Sequence, residues 1–521
     1  MADAGWDIIV VGAGSAGAAF AARSAERGRR VLLLEAGPDY RSAQMPEAWR
    51  SPNPARALMD PAAVAGLVWE GVTSSRTDKQ PHAPYWRGRG VGGSSSINGQ
   101  IAIRPPMEDF ADWAAAGCTG WSPEDVLPYF ARLEDDEEFG DEPYHGRGGP
   151  TPIFRMPQAR WGGVDAALSE AARAAGHAWA PDVNAPGAAG VSPYPINSWA
   201  GRRVTVNDGY LEPARSLDTL TVRGDALVDR VVFEGDRAVG VRVITGGTAV
   251  TEYAGEIVLS AGVIHSPAIL MRSGIGPADD LRRLGIAVRA DLPVGRALQD
   301  HPMIVVGLPL TADAAVKTAD DRHTNVCVRY SSGSPGGTAL DMMFVSLNMN
   351  VLSMEGADTR FPVGGFGVWL NQNHSRGVLT LTSADPRAQP EVRERMLSDD
   401  RDLARLRDGV RALVELARSA EAAAVVEGSV EAVNDRLFAA LDDDAELDDL
   451  LLATAVDAQH GTSTCRMGAP GDRRAVVDPA CRVLGVDGLR VADASIFPSV
   501  PRANTNLASI MVGELMADRF N

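Results

Sequence analysis

The sequence is short of cysteine, of long apolar runs and of basic residues, and each shortage argues against something. Only four cysteines occur in 521 residues, Cys118, Cys327, Cys465 and Cys481. None forms a CxxC pair or takes a Cys/His spacing suited to zinc, so free thiols in a reducing compartment are expected, with no metal site. No uninterrupted apolar stretch approaches the ~20 residues of a membrane helix. Met1 to Asp7 lacks the basic segment and apolar run of a secretory signal, which makes the cytoplasm the expected address and membrane insertion unexpected. Fifty Lys and Arg stand against 68 Asp and Glu, a net charge of -18. That balance disfavours nucleic acid or an anionic membrane surface as the main partner. Two acidic runs, Glu134–Glu138 and Asp442–Asp449, are expected to be solvated faces. Hydrophobic residues at 45% and charged residues at 23% describe an ordinary globular chain, too long for a single core. Internal repeats and long low-complexity linkers are also missing.

What is present begins at Asp7. Asp7-Ile-Ile-Val-Val11 is a β-branched run suited to a buried parallel strand. It leads into Gly12-Ala-Gly14-Ser15-Ala-Gly17, then an Ala-rich helical stretch to about Arg27, then Arg30-Val-Leu-Leu-Leu-Glu35-Ala36-Gly37. This is a βαβ unit carrying a dinucleotide fingerprint. Gly12 permits the tight turn, Gly14 lets the backbone approach a pyrophosphate, and Gly17 lets helix and strand pack closely. The helix N-terminus faces the phosphates and Glu35 is placed for the ribose hydroxyls. This segment alone leaves FAD and NAD both open.

Three further segments narrow the choice. Arg87-Gly-Arg89-Gly-Val-Gly92-Gly93-Ser94-Ser-Ser-Ile97-Asn98-Gly is a glycine- and serine-rich loop running into an apolar strand-like stretch. Ser260-Ala261-Gly262-Val-Ile-His265-Ser-Pro continues to Ser273-Gly274-Ile-Gly276-Pro. Asp457-Ala-Gln459-His460-Gly-Thr-Ser463-Thr-Cys-Arg-Met-Gly468 is followed by Asp493-Ala494-Ser and by Asn504-Thr505-Asn506. Together they resemble the signatures of the glucose–methanol–choline (GMC) FAD-dependent oxidoreductases, over nearly the whole chain. The likeness is to the choline-dehydrogenase-like and hydroxymethylfurfural-oxidase-like branch. Ser463 stands where that pattern usually has glycine.

The resemblance implies an α/β Rossmann-like FAD-binding domain and a discontinuous α+β substrate domain built on an antiparallel sheet flanked by helices. The first is expected over about 1–155, 205–300 and 455–521, the second over 156–204 and 301–454. Apolar spacing predicts a helix over Asp400–Ala417, and Pro181–Gly190 reads as a surface loop. Besides the fingerprint glycines and Glu35, the resemblance assigns to FAD Ser15, Ala36, Arg89, Gly92, Gly93, Ser94, Asn98, Ala261, Asp493, Ala494 and Thr505, with Val228 meeting adenine through its backbone. Ile97 occupies the position where some relatives attach FAD through histidine, so non-covalent FAD is expected.

Alcohol oxidation needs a base for the hydroxyl proton and an acceptor for the hydride. His460 is the expected base, since imidazole titrates near neutrality. Asn504 lies 44 positions on (504 minus 460), the family's spacing for a second active-site residue, and its amide can steady an alkoxide without titrating. It is equally a good N-cap for the last helix. His265 is expected to be structural. Gln459, Gly367 and Trp369 are expected at the substrate, with Gly367 leaving room and Trp369 stacking on an aromatic or furanic primary alcohol. Oxygen and a non-oxygen electron acceptor both remain open, as does a lyase in which FAD is structural.

Overall fold

Residues 6–11 are the centre of the first sheet because every side chain of Ile8–Val11 is apolar and has somewhere to be buried on both faces. The structure, a computed structural model, describes residues 5–58, 60–318, 320–349 and 363–520. Strand Trp6–Val11 pairs in parallel with Val31–Leu34 on one side and with the far end of Thr248–Leu259 on the other. Leu220–Arg223 extends the sheet beyond Val31–Leu34, and Leu489–Val491 pairs with Ile257–Leu259, both in parallel. The near end of Thr248–Leu259 turns antiparallel, to Arg237–Thr245 and then Leu227–Glu234, completing seven strands. The Ala-rich helix Ser15–Glu26 covers this sheet and packs on the C-terminal helix Thr505–Arg519. At their crossing a Cβ on Gly513 would overlap the Ala16 carbonyl, so only glycine permits the approach.

The second sheet has six strands, all antiparallel, in the order Val456–Asp457, Pro302–Pro309, Val363–Leu370, Met342–Leu347, Val326–Tyr330 and Gly190–Pro193. The two-residue period decides its faces. Ile304, Val306, Leu308, Phe344, Phe366 and Val368 point to one side, where helices Gly163–Ala174 and Asp400–Ala417 bury them. Met303, Met343, Val345, Leu347 and Trp369 point to the other, towards Ile101 and Tyr194. The helix expected at Asp400–Ala417 forms over those residues. Val456–Asp457 sits at the edge of this second sheet, although the segment from 455 was expected in the first domain. A small sheet joining Thr73–Ser75 and His82–Pro84 to Glu391–Arg393 and Val378–Thr380 also crosses the expected border.

Two surface expectations hold only in part. In the run Glu134–Glu138, Glu134 and Asp136 are completely buried. Arg104 and Arg155 neutralise them, and His145 lies between Glu134 and Asp182 at 2.9 Å from each. Although burial opposes its charge, hydrogen bonds to Asp182 and Glu134 push the His145 pKa up to about 9. Charge count alone did not reveal those partners. In Pro181–Gly190, Asp182, Val183 and Asn184 are buried, because Asp182 joins this network and Val183 packs under the second sheet.

Candidate functional site

The glycines of the first loop divide their work. Gly12 has φ +101° and its would-be Cβ lies 2.5 Å from the Ser260 carbonyl oxygen, while a Cβ on Gly17 would overlap the Gly12 carbonyl. Those two close the turn. Gly14 instead meets Gly93 in ordinary contact, 3.8 Å from a would-be Cβ to the Gly93 Cα, while a Cβ on Gly93 would overlap the Gly14 Cα, so two glycine loops bring bare backbone to one wall. Glu35 ties them: its carboxylate accepts the N–H groups of Ala13, Gly37 and Gly90, each at 2.9 Å. Its Oε2 accepts only one of these bonds, and a carboxylate oxygen has capacity for a further donor such as a ribose hydroxyl. Ser15, Ala36, Ser94, Asn98, Val228, Ala261, Asp493, Ala494 and Thr505 line the same cavity, of about 670 Å³. Gly17, Arg89 and Gly92 lie behind its wall. There Arg89 donates to the Ala36 carbonyl at 3.0 Å, and Gly92, at φ +89°, donates to the Ala13 carbonyl. A helix N-terminus, exposed backbone and one acid fit a dinucleotide pyrophosphate and ribose.

The cavity continues to His460 and Asn504. His460 Nε2 lies 2.9 Å from Asn504 Nδ2, and His460 Nδ1 lies 3.0 Å from Nδ1 of His301. The proton positions follow by elimination. His301 Nε2 is 3.0 Å from the Pro501 carbonyl, which can only accept, so that nitrogen carries hydrogen. Burial depresses the His301 pKa to about 4, so the ring is neutral and its Nδ1 is a lone pair. His460 must then donate from Nδ1, leaving its Nε2 lone pair towards Asn504 and the cavity. Burial, with His301 beside it, also holds the His460 pKa well below the ordinary imidazole value. The ring is therefore neutral near pH 7, with its Nε2 lone pair unprotonated. Asn504 stands at the N-cap position of the Thr505–Arg519 helix, but its side chain makes no cap hydrogen bond. It is committed to His460, and its buried Oδ1 has no partner.

The backbone around the base is held from below. Asp300 Oδ1 accepts the N–H groups of His460 at 2.8 Å and His301 at 2.7 Å, and Asp300 Oδ2 accepts the Tyr85 hydroxyl. Asp300, Glu394 and Asp457 are all buried, with carboxylate oxygens within 4.8 Å of one another. Arg76 pairs with Asp457, and Arg87 approaches Asp300 to 4.0 Å. Burial raises the Asp300 pKa to about 7 and Glu394 well above the carboxylate range. Gln459 and Ser463 take φ +61° and +72° on either side of His460. The second value explains the family's usual glycine; here serine occupies the left-handed conformation, its hydroxyl on Thr462.

Trp369 reaches the site, with ring centroid 5.5 Å from that of His460. Gln459 lines the cavity, its side-chain oxygen accepting from Arg87 at 3.0 Å. Gly367 does not reach the wall. Its would-be Cβ lies 2.9 Å from Val345 Cγ2 and 3.2 Å from Met303 Sδ, so these neighbours roof it over and the room expected above it is already filled. His265 stacks on Trp69 at 4.1 Å and bonds Gln389, away from His460. His301 was missed as a site residue. Only folding sets residue 301 against residue 460.

The family model described as GMC oxidoreductase matches residues 6–303 with its N-terminal part and 373–513 with its C-terminal part. The chain is a GMC oxidoreductase. It is 37% identical over 544 aligned positions to a 5-(hydroxymethyl)furfural oxidase of Methylovorus sp. (strain MP688), covering 99% of each chain. It is 35% identical to the human mitochondrial choline dehydrogenase over 98% of this chain and 89% of the other. Among solved structures, pyridoxine 4-oxidase from Mesorbium loti superposes with a TM-score of 0.88 at 28% identity, covering 99% of each. This GMC oxidoreductase is an FAD-dependent enzyme of alcohol oxidation. No helix among the described residues is long and apolar enough to cross a membrane.

Proposed function

We propose that this enzyme oxidises a primary alcohol, aromatic or furanic by preference, to the aldehyde, with His460 as base and Asn504 as the second ligand of the substrate oxygen. One observation carries the reading: a neutral imidazole whose Nδ1 is committed to His301 turns its unprotonated Nε2 to a carboxamide that caps nothing. An alcohol that displaces the direct Asn504 Nδ2–His460 Nε2 contact donates its hydroxyl proton to His460 Nε2 and accepts from Asn504 Nδ2. As the proton leaves, Asn504 holds the developing alkoxide, and His301 accepts the Nδ1 hydrogen bond that strengthens when His460 becomes cationic. FAD, when bound, supplies the acceptor for the carbinol hydride. Trp369, Met303, Val345 and Leu347 give the chamber an apolar wall that suits a flat ring and excludes water. The names of the furfural and pyridoxine oxidases support the same substrate class.

Substituting His460→Ala is expected to slow anaerobic flavin reduction by an alcohol ~10²–10⁴-fold, with FAD content little changed. An unaltered rate removes His460 from the mechanism. Absence of flavin bleaching by any alcohol in the wild type removes alcohol oxidation itself and favours the lyase. The electron acceptor is oxygen or a carrier; reduced flavin that persists for minutes in air rules out oxygen.

A further inference from the structure

The same chamber has a second polar end that the oxidation chemistry does not use. His323, on the loop leading into Val326–Tyr330, lines the cavity and is 6% exposed. Its Nδ1 is buried with no hydrogen-bond partner, and among the described residues nothing bonds either ring nitrogen. A neutral imidazole brings one donor and one acceptor, and leaving both unmet away from water is costly. Two buried guanidiniums flank it. Arg322 donates only to the carbonyls of Thr324, Pro52 and Gly99. Arg203 donates to the carbonyls of Trp49 and Ser95 and to Asn98 Oδ1, and keeps one Nη unpartnered. Among the described residues neither has a carboxylate at ion-pair distance. Burial, and then these charges, hold the His323 pKa well below the ordinary imidazole value, and the charges give this end of the chamber a positive potential.

Resting on the alcohol reading above, we infer that His323 is a specificity residue that bonds an acceptor oxygen, carbonyl or carboxylate, at the end of the substrate remote from the carbinol. The substrate is thus a hydroxymethyl ring carrying a second oxygenated group. The strand face of Met343, Val345 and Leu347 runs from Trp369, beside His460, to Asn348, whose N–H donates to the His323 carbonyl, and so lies between the two polar ends.

The test compares kcat/KM for benzyl alcohol, 4-(hydroxymethyl)benzaldehyde and 4-(hydroxymethyl)benzoate in the wild type and in His323→Leu and His323→Gln, with FAD content and thermal release of FAD measured alongside. The wild type is expected to favour at least one oxygenated substrate by ~10-fold, the usual reach of one buried hydrogen bond. His323→Leu should abolish that ratio and His323→Gln, which keeps a donor, should restore part of it. Preference for the benzoate over the aldehyde identifies carboxylate as the occupant, and the reverse identifies carbonyl. No preference in the wild type, or an unchanged ratio in His323→Leu, overturns the inference. So does a Leu variant that loses FAD while keeping the ratio, since His323 would then serve the cofactor. Failure of all three alcohols to bleach the flavin falls instead on the alcohol reading.

Discussion

A histidine becomes a base here through its neighbour. Because the Pro501 carbonyl fixes hydrogen on His301 Nε2, the tautomer of His460 is set two steps from the substrate. His301→Leu leaves the His460 Nδ1–H without an acceptor and is expected to lower kcat ~10-fold with KM little changed. His301→Gln, whose side-chain oxygen can accept, should recover part of the loss; equal rates for both variants would deny His301 this role. Since burial keeps His460 neutral, the acid limb of kcat/KM is expected below pH 6.5, and a limb above 6.5 would contradict it. Much of this scale was legible in advance: His460 and Asn504 were marked by spacing, and the structure brings them to 2.9 Å. His301 was not, because a contact across 159 positions leaves no local pattern. Nor was the burial of Glu134 and Asp136, which depends on arginines from other parts of the chain.

At the scale of elements, the first sheet and its glycine turn were readable because short-range rules govern them: β-branched runs, a fingerprint and an acid at the strand end. The faces of the second sheet obey the two-residue period just as plainly, but which neighbours roof a given glycine does not. Gly367 shows the difference. A side chain there must displace Val345 and Met303 towards the cavity, so Gly367→Val is expected to raise KM for ring alcohols more than for short aliphatic ones. An equal effect on both would place the strain elsewhere. The helix pair Ser15–Glu26 and Thr505–Arg519 is similarly exacting. Gly513→Ala puts a methyl into the Ala16 carbonyl and is expected to cost ~1–3 kcal/mol in urea unfolding, with weaker retention of FAD because the phosphate-facing helix shifts. Unchanged stability would mean the helices separate without penalty.

Across the whole molecule, the pH response follows from buried acids as well as from buried histidines. Glu394 has its pKa raised well above 4.5, mainly by burial and then by Asp457 and Asp300. The folded state therefore binds a proton that the unfolded chain releases, and stability is lost as pH rises from about 4.5 towards the folded value. Glu394→Gln keeps the shape of the protonated acid and removes that slope. Its stability relative to wild type is expected to grow by up to ~1.4 kcal/mol per pH unit above 4.5, read from denaturant midpoints. A constant difference across pH would show that Glu394 is ionised in the fold.

The edge strand Val456–Asp457 has one more implication. It moors His460 to the antiparallel layer, whereas Asn504 opens a helix packed on Ser15–Glu26, the helix that covers the parallel one. The distance between imidazole and carboxamide is thus a caliper across the seam of the protein. A slip of an ångström between layers costs neither its interior but opens the caliper. Turnover should accordingly fade at a lower urea concentration than the far-ultraviolet dichroism of the helices.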